Sequence, residues 1–176
     1  MATLNGTEGN DTLIGTAAAD DIHGNGGNDF MQGGDGADTV LGGSGNDTMS
    51  GNNGNDWVRG GTGNDQVSGG GGQDSFAFHD FGATNADVLT DFAGGWDNIQ
   101  LDLNAFTALG STGRFAAGDA RFRLGTAAQD ADDRIIYNQA TGQLWYDADG
   151  NGAGAAQLVA TLQAGTTVVA SDIWVI

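Results

Sequence analysis

Apolar side chains in the first half of the chain are sparse but regular. Leu13, Ile22, Met31, Val40, Met49, Val58, Val67 and Phe76 follow one another at intervals of nine residues, separated by polar and glycine-rich stretches. An amphipathic helix or a simple alternating strand does not keep this spacing, whereas a repeated supersecondary unit does. Seven residues before each apolar position stands a glycine: Gly6, Gly15, Gly24, Gly33, Gly42, Gly51, Gly60 and Gly69. Glycine there, and often at the second and fourth positions of the unit, lets six residues make a tight turn. The remaining three, such as Thr48-Met49-Ser50, suffice for a short strand whose middle side chain points to one side. Eight units fill residues 6–77. Two units make one coil of two strands and two turns, and coils stack at the strand spacing of about 4.8 Å. Leu13, Met31, Met49 and Val67 are then expected in one inward column, with Ile22, Val40, Val58 and Phe76 in the facing column.

The same stacking aligns the sixth residue of every unit. These are Asp11, Asp20, Asp29, Asp38, Asp47, Asp56, Asp65 and Asp74, so two columns of carboxylates are predicted. Like charges about 5 Å apart oppose folding unless a cation lies between them. The whole chain carries 23 acidic residues against 5 Lys and Arg, a formal charge of −18. Carboxylates together with turn carbonyls make an all-oxygen donor set, which suits Ca²⁺ better than zinc or copper. Eight units offer six pairings between turns of neighbouring coils. About six divalent ions would reduce the charge to an ordinary value for a domain of this size. The negative excess argues against nucleic acid and against electrostatic membrane docking. No apolar run approaches the roughly 18 residues of a membrane span. There is no Cys, hence no disulfide and no thiolate site.

The full unit, as in Gly33-Gly34-Asp35-Gly36-Ala37-Asp38-Thr39-Val40-Leu41, resembles the RTX, or haemolysin-type, calcium-binding nonapeptide G-G-x-G-x-D-x-U-x. The resemblance implies a right-handed parallel β-roll of about four coils, an all-β fold. It also implies that each ion takes the second and fourth carbonyls and the Asp of one turn, with the first and third carbonyls and the Asp of the next. On that pattern Asn25, Gly27 and Asp29 face Gly42, Ser44 and Asp47, while Gly34, Gly36 and Asp38 face Gly51, Asn53 and Asp56. Gly43, Gly45 and Asp47 likewise face Gly60, Thr62 and Asp65, and Asn52, Gly54 and Asp56 face Gly69, Gly71 and Asp74. Nearer the N-terminus Asp11 meets Gly24, Gly26 and Asp29, and Asp20 meets Gly33, Asp35 and Asp38. The second unit departs from the consensus, with Thr16, Ala17 and Ala18 in place of turn glycines, which weakens the Asp20–Asp38 pairing.

Beyond Ala77 the period ends. Residues 78–176 read as a β-rich C-terminal cap with its own small core, with strands expected near 87–92, 98–101 and 134–137 and a hairpin through 138–143 into 144–146. Phe76, Phe78, Phe81, Phe92 and Trp96 are expected to close the open end of the roll. The stretch Asp87-Val88-Leu89-Thr90-Asp91-Phe92-Ala93-Gly94-Gly95-Trp96-Asp97-Asn98-Ile99-Gln100-Leu101 resembles the segment after the repeats in serralysin-type secreted proteases. That likeness implies that Asp80 and Asp87, with Gly61 and Gly63 of the seventh turn, help close a terminal calcium site. Asp147-Ala148-Asp149-Gly150-Asn151-Gly152 matches half an EF-hand loop, but Leu158 stands where the bidentate Glu belongs, so an Asx-type hairpin turn is expected, with an isolated calcium loop as the alternative. Ser171-Asp172-Ile173-Trp174-Val175-Ile176 resembles the C-terminal signal of type I secreted RTX proteins and is equally readable as a final edge strand.

Catalytic signatures are missing. There is no H-E-x-x-H and no G-x-S-x-G, and His23 and His79 stand far apart as surface or cap residues. The chain is therefore not expected to be an enzyme, and the resemblance implies a secreted, extracellular calcium-binding module with the type I secretion apparatus as partner. In calcium-poor cytosol the Asp columns would keep it unfolded. The alternatives are a polysaccharide-binding accessory module, like the R-modules of alginate epimerases, and the C-terminal tail of a larger exported hydrolase. Phe30 and Trp57 are predicted to face outward on opposite sides of the roll, and Arg114, Arg121, Arg123 and Arg134 to pair with Asp130, Asp132 and Asp133.

Overall fold

The computed structural model describes all 176 residues. The repeats form β1 (Thr3–Asn5), β2 (Thr12–Ile14), β3 (Asp21–Gly26), β4 (Phe30–Asp35), β5 (Thr39–Ser44), β6 (Thr48–Asn53), β7 (Trp57–Thr62), β8 (Gln66–Gly71) and β9 (Ser75–Phe78). Odd strands pair in parallel within one sheet and even strands within the other. The register places Ile22 beside Val40, Val40 beside Val58 and Val58 beside Phe76. On the other sheet Leu13, Met31, Met49 and Val67 follow in the same way. Both predicted columns are present, and all but Leu13 are buried. The strands run longer than three residues because pairing continues into the turn, with Asn25 beside Gly43 and Gly43 beside Gly61.

The C-terminal residues do not form a separate core. β10 (Asp87–Leu89) pairs in parallel with β8, and β11 (Asn98–Leu101) pairs in parallel with β9. Leu89 thereby joins the Val67 column and Ile99 the Phe76 column, so these strands are an additional coil of the same solenoid. The sheets are completed by β12 (Gly113–Arg114), β13 (Phe122–Leu124), β14 (Ile135–Asn138), β15 (Gln143–Tyr146), β16 (Gln157–Thr161) and β17 (Ile173–Val175). β16 pairs with β10 and β17 with β11, while β14 and β15 form the expected antiparallel hairpin. One hydrophobic cluster of 26 residues runs from Ile22 to Val175.

Phe76, Phe78 and Phe92 are buried at the junction, with the Phe76 and Phe92 rings 5.9 Å apart. Phe81 stacks edge-on against Tyr146 at 5.0 Å and tilts against Phe106 at 5.1 Å. Trp96 departs from expectation: it is 60% exposed, because it lies in the turn between β10 and β11 rather than on a strand. Ile173 and Val175 are buried, and β17 lies between β11 and β12 rather than at an edge. The arginines also differ from the prediction, since only Arg123 approaches a predicted acid, Asp133 at 3.7 Å. Arg121 binds Asp119 at 2.8 Å, Arg114 donates to the Ser171 carbonyl, and Arg134 donates to the carbonyls of Ala131 and Asp133. No helix is long and apolar enough to cross a membrane.

Candidate metal centre

Each repeat Asp closes the turn that ends in its own unit. From Asp29 onward its Oδ1 accepts the backbone N–H of the Asp one coil earlier: Asp29 from Asp11 at 2.8 Å, Asp38 from Asp20 at 2.7 Å, and Asp47 from Asp29 at 2.8 Å. The ladder continues through Asp56, Asp65 and Asp74 at 2.7–2.9 Å. These carboxylates are stacked as predicted, and from Asp20 onward each is at most 3% exposed. Oδ1 is therefore engaged, which leaves Oδ2.

For Asp29, Asp38, Asp47, Asp56 and Asp65, Oδ2 is buried and has no hydrogen-bond partner. Five orphaned anionic oxygens in consecutive units are costly to bury unless something positive sits against them. Burial pushes the Asp47 and Asp74 carboxyls up to about 6, and it also raises those of Asp38, Asp56 and Asp65.

Glycine supplies the other oxygens. A side chain at Gly24 would collide with Asp29 Oδ2 and with the carbonyl of Gly42 in the next coil. Gly33 stands in the same relation to Asp38 Oδ2 and the Gly51 carbonyl, and Gly42 to Asp47 Oδ2 and the Gly60 carbonyl. The first position is thus glycine for close approach, and the second takes positive φ, as at Gly43 (φ 110) and Asn25 (φ 73). Carboxylate oxygen and next-coil carbonyl converge on one gap between coils. No three acidic or histidine side chains meet at one point, so main-chain carbonyls must supply most ligands of any ion held here. Such a donor set fits a hard, oxygen-loving cation that tolerates irregular coordination, which is the chemistry of Ca²⁺.

A family model described as the RTX calcium-binding nonapeptide repeat, in four copies, matches residues 5–40, 14–49 and 41–76. Residues 5–76 are RTX calcium-binding repeats. Two solved structures are similar over most of this chain. The AlgE6R3 subunit of the Azotobacter vinelandii mannuronan C5-epimerase shares 26% identity at a TM-score of 0.46, covering 96% of this chain and 79% of its own. The extracellular lipase LipA of Serratia marcescens shares 15% identity at a TM-score of 0.34, and the match covers 99% of this chain and 40% of the lipase. No curated protein matches.

The RTX turns depart from uniformity at both ends. In the first two units Oδ2 is not orphaned: Thr7 donates its N–H (2.6 Å) and hydroxyl (2.8 Å) to Asp11, and Thr16 does the same to Asp20 at 2.7 and 2.8 Å. The backbone N–H of Ala2 and the hydroxyl of Thr16 hold the Asp20 carboxyl below its ordinary range. At the other end the acid columns outlast the repeats. Asp87 Oδ1 accepts the Asp65 N–H at 3.0 Å, and Asp97 Oδ1 accepts the Asp74 N–H at 3.0 Å.

Asp87 is thus brought into the odd column, and its Oδ2 lies 2.9 Å from where a Gly60 side chain would start, beside Asp65 Oδ2. Burial, with Asp65 adding to it, pushes the Asp87 carboxyl up to about 8. Asp80 raises the pKa values of Asp65 and Asp87 through space but accepts no hydrogen bond and joins no cluster of three. Asp97 and Asp91 escaped the sequence reading. Asp97 Oδ2 accepts the Ala93 N–H at 2.8 Å, and Asp91 accepts the Gly69 and Gly70 N–H groups at 2.9 and 2.8 Å. A signal was present: Asp87-Val88-Leu89 and Asp97-Asn98-Ile99 each keep the D-x-U end of the nonapeptide. The spacing to the preceding Asp widens to 22 and 23 residues, which hides them from a strict nine-residue count.

The Asp147–Gly152 loop contains the expected Asx contact, Asp149 N–H to Asp147 Oδ1 at 3.2 Å. His23 and His79 bind Asp21 and Asp102 at 2.9 and 2.8 Å, away from the turns.

Proposed function

We propose that this calcium-binding repeat module folds upon taking up Ca²⁺ between its turns and serves as the calcium-triggered folding domain of a protein exported by a type I route. The observation that carries the reading is the run of five buried, partnerless Asp Oδ2 atoms, of which those of Asp29, Asp38 and Asp47 face a carbonyl of the next coil. Without a cation these columns oppose compaction, so a chain in calcium-poor cytosol stays open and threadable. Outside, sites of this ligand class bind near 10⁻⁴–10⁻³ M, and a tenfold excess of ion adds roughly 1.4 kcal/mol per site. Four to six coupled sites then supply about 6–8 kcal/mol, comparable to the whole stability of a domain. The apolar C-terminal residues Ile173 and Val175 would be readable by a secretion machinery only before they enter the core. Circular dichroism during a calcium titration tests the proposal: β signal grows cooperatively with ion, and a full signal in excess EGTA refutes coupled folding.

A second reading, binding of an acidic polysaccharide, is favoured by one surface feature. On the outer face of the odd sheet Trp57 donates to Gln100 at 2.8 Å with Arg59 over its ring at 5.9 Å, and Trp174 donates to Asn98 at 3.0 Å with Arg114 over its ring at 5.6 Å. Two guanidinium–indole pairs on one face of an otherwise anionic chain suit a ring-stacking, carboxylate-bearing ligand. Calorimetry with uronate oligomers on the calcium-loaded protein, with Trp57→Ala and Trp174→Ala as controls, decides it.

A further inference from the structure

We propose that Thr7 and Thr16 are built-in substitutes for a cation, and that they end the ion string so that calcium is held only from the third repeat onward. This rests on the reading that the Asp columns bind calcium, and it says where they do so. Six units carry Asn or Gly at the second turn position, all with positive φ: Asn25, Gly34, Gly43, Asn52, Gly61 and Gly70. Thr7 and Thr16 occupy that position in the first two units and keep ordinary φ, as a β-branched residue must. Their N–H groups therefore point at the carboxylate, and the hydroxyl adds a second donor to the same Oδ2.

Two donors on one anionic oxygen make charge-assisted hydrogen bonds of the stronger kind. Each threonine hydroxyl also accepts a turn N–H, from Gly9 at 3.1 Å and from Ala18 at 3.2 Å, so the substitution is complete within its own turn. The affected oxygens are those that would face the Gly24 and Gly33 carbonyls across the first gap of each column. The next oxygen in each column, on Asp29 and Asp38, is already orphaned. The change from satisfied to orphaned thus falls at the same unit boundary in both columns, where threonine gives way to Asn or Gly. At the far end the orphans run to Asp65, beside Asp87.

Native mass spectrometry of the calcium-loaded full chain tests this. The parent is expected to hold five ions, one per orphaned Oδ2. Asp11→Asn and Asp20→Asn leave that number unchanged, whereas Asp29→Asn and Asp38→Asn each lower it by one. Thr7→Gly with Thr16→Gly, which frees both oxygens and permits positive φ, raises it by two while the β spectrum is kept. A parent holding seven ions, with Asp11→Asn and Asp20→Asn each losing one, overturns the inference, as does a folded double glycine variant with no gain. If that variant fails to fold, the two Asp→Asn counts decide alone. A parent that binds no calcium sinks the underlying reading instead.

Discussion

The repeat half and the C-terminal half share two sheets but are held together differently. Of the 26 core residues only seven come from the repeats, and they are strung one per strand. Two apolar side chains per coil contribute about 3–6 kcal/mol, small against the entropy of ordering eighteen residues. The same half buries seven of its aspartates, each at most 3% exposed. The C-terminal half instead packs Phe81, Phe106 and Tyr146 against one another and ties loops with ordinary hydrogen bonds such as Tyr137 to the Thr166 carbonyl at 2.8 Å. On the proposed reading, a thin core is sufficient for the roll only if its buried anions become attractive, which is what divalent ions between coils would accomplish.

Removing calcium should therefore have the largest effect. Because β10 and β11 pair directly with β8 and β9, the roll and the C-terminal half are expected to lose structure in one calorimetric transition on chelation. Two separate transitions would show that the shared sheets do not couple the halves. Protons should partly replace the ions. Burial raises the carboxyls of Asp47 and Asp74 to about 6 and that of Asp87 to about 8, from 3.8 in the open chain. A carboxyl whose pKa is raised by folding binds its proton more tightly in the folded form. Metal-free stability is thus greatest below about pH 4 and falls as pH rises through 6 toward 8. In EGTA, β signal at pH 4.5 should exceed that at pH 8, whereas with calcium present acid should weaken the fold by competing for the same oxygens.

The joint between the halves comes next. Phe76 is 1% exposed, sits between Val58 and Ile99 in its column, and meets the Phe92 ring. Phe76→Ala is expected to cost about 3–5 kcal/mol in calcium-saturated urea denaturation. A cost below about 1 kcal/mol would mean that the two halves do not share a core.

The repeat half was legible because its chemistry is periodic. Nine-residue spacing of Asp and of one apolar residue determines both columns, and stacking by eighteen follows from two strands per coil. The continuation of the sheets was not legible as such. Asp87-Val88-Leu89 and Asp97-Asn98-Ile99 were visible as strands, but longer turns before them removed the period that would have marked them as repeats. The role of Thr16 was half legible: its departure from glycine was plain, but its capture of Asp20 Oδ2 depends on a backbone φ that composition does not reveal. Trp96 and the arginines were misjudged because surface positions in irregular loops leave no pattern to read.

Within the roll, a single ligand should matter less than the joint. Asp47→Asn keeps the side-chain shape and the acceptor for the Asp29 N–H but removes the charge from one orphaned oxygen. It is expected to lower bound calcium by one ion and to cost about 1.5–3 kcal/mol at saturating calcium. The corresponding change at a C-terminal carboxylate whose Oδ2 accepts the Gln129 and Asp130 N–H groups, Asp133→Asn, should leave the ion count untouched.

The smallest effect separates ion-dependent from ion-independent support inside the roll itself. Along the odd turns an asparagine ladder runs outside the acid column: Asn28 N–H donates to Asn10, Asn46 N–H to Asn28, and Asn64 N–H to Asn46, each at 2.8 Å, with Ala86 N–H closing it on Asn64 at 2.9 Å. The even turns carry Ala19 and Ala37 at the equivalent place and have only the Asn55 contact to the Gln73 N–H at 2.9 Å. The ladder is exposed, neutral and indifferent to metal. Asn46→Ala breaks one rung and should cost about 1 kcal/mol, with bound calcium unchanged. Ala37→Asn, which offers the Asn55 N–H the acceptor it lacks on the even side, should recover a few tenths of a kcal/mol. A loss of ions in Asn46→Ala would instead show that the ladder sets the spacing of the turns and that the acid columns depend on it.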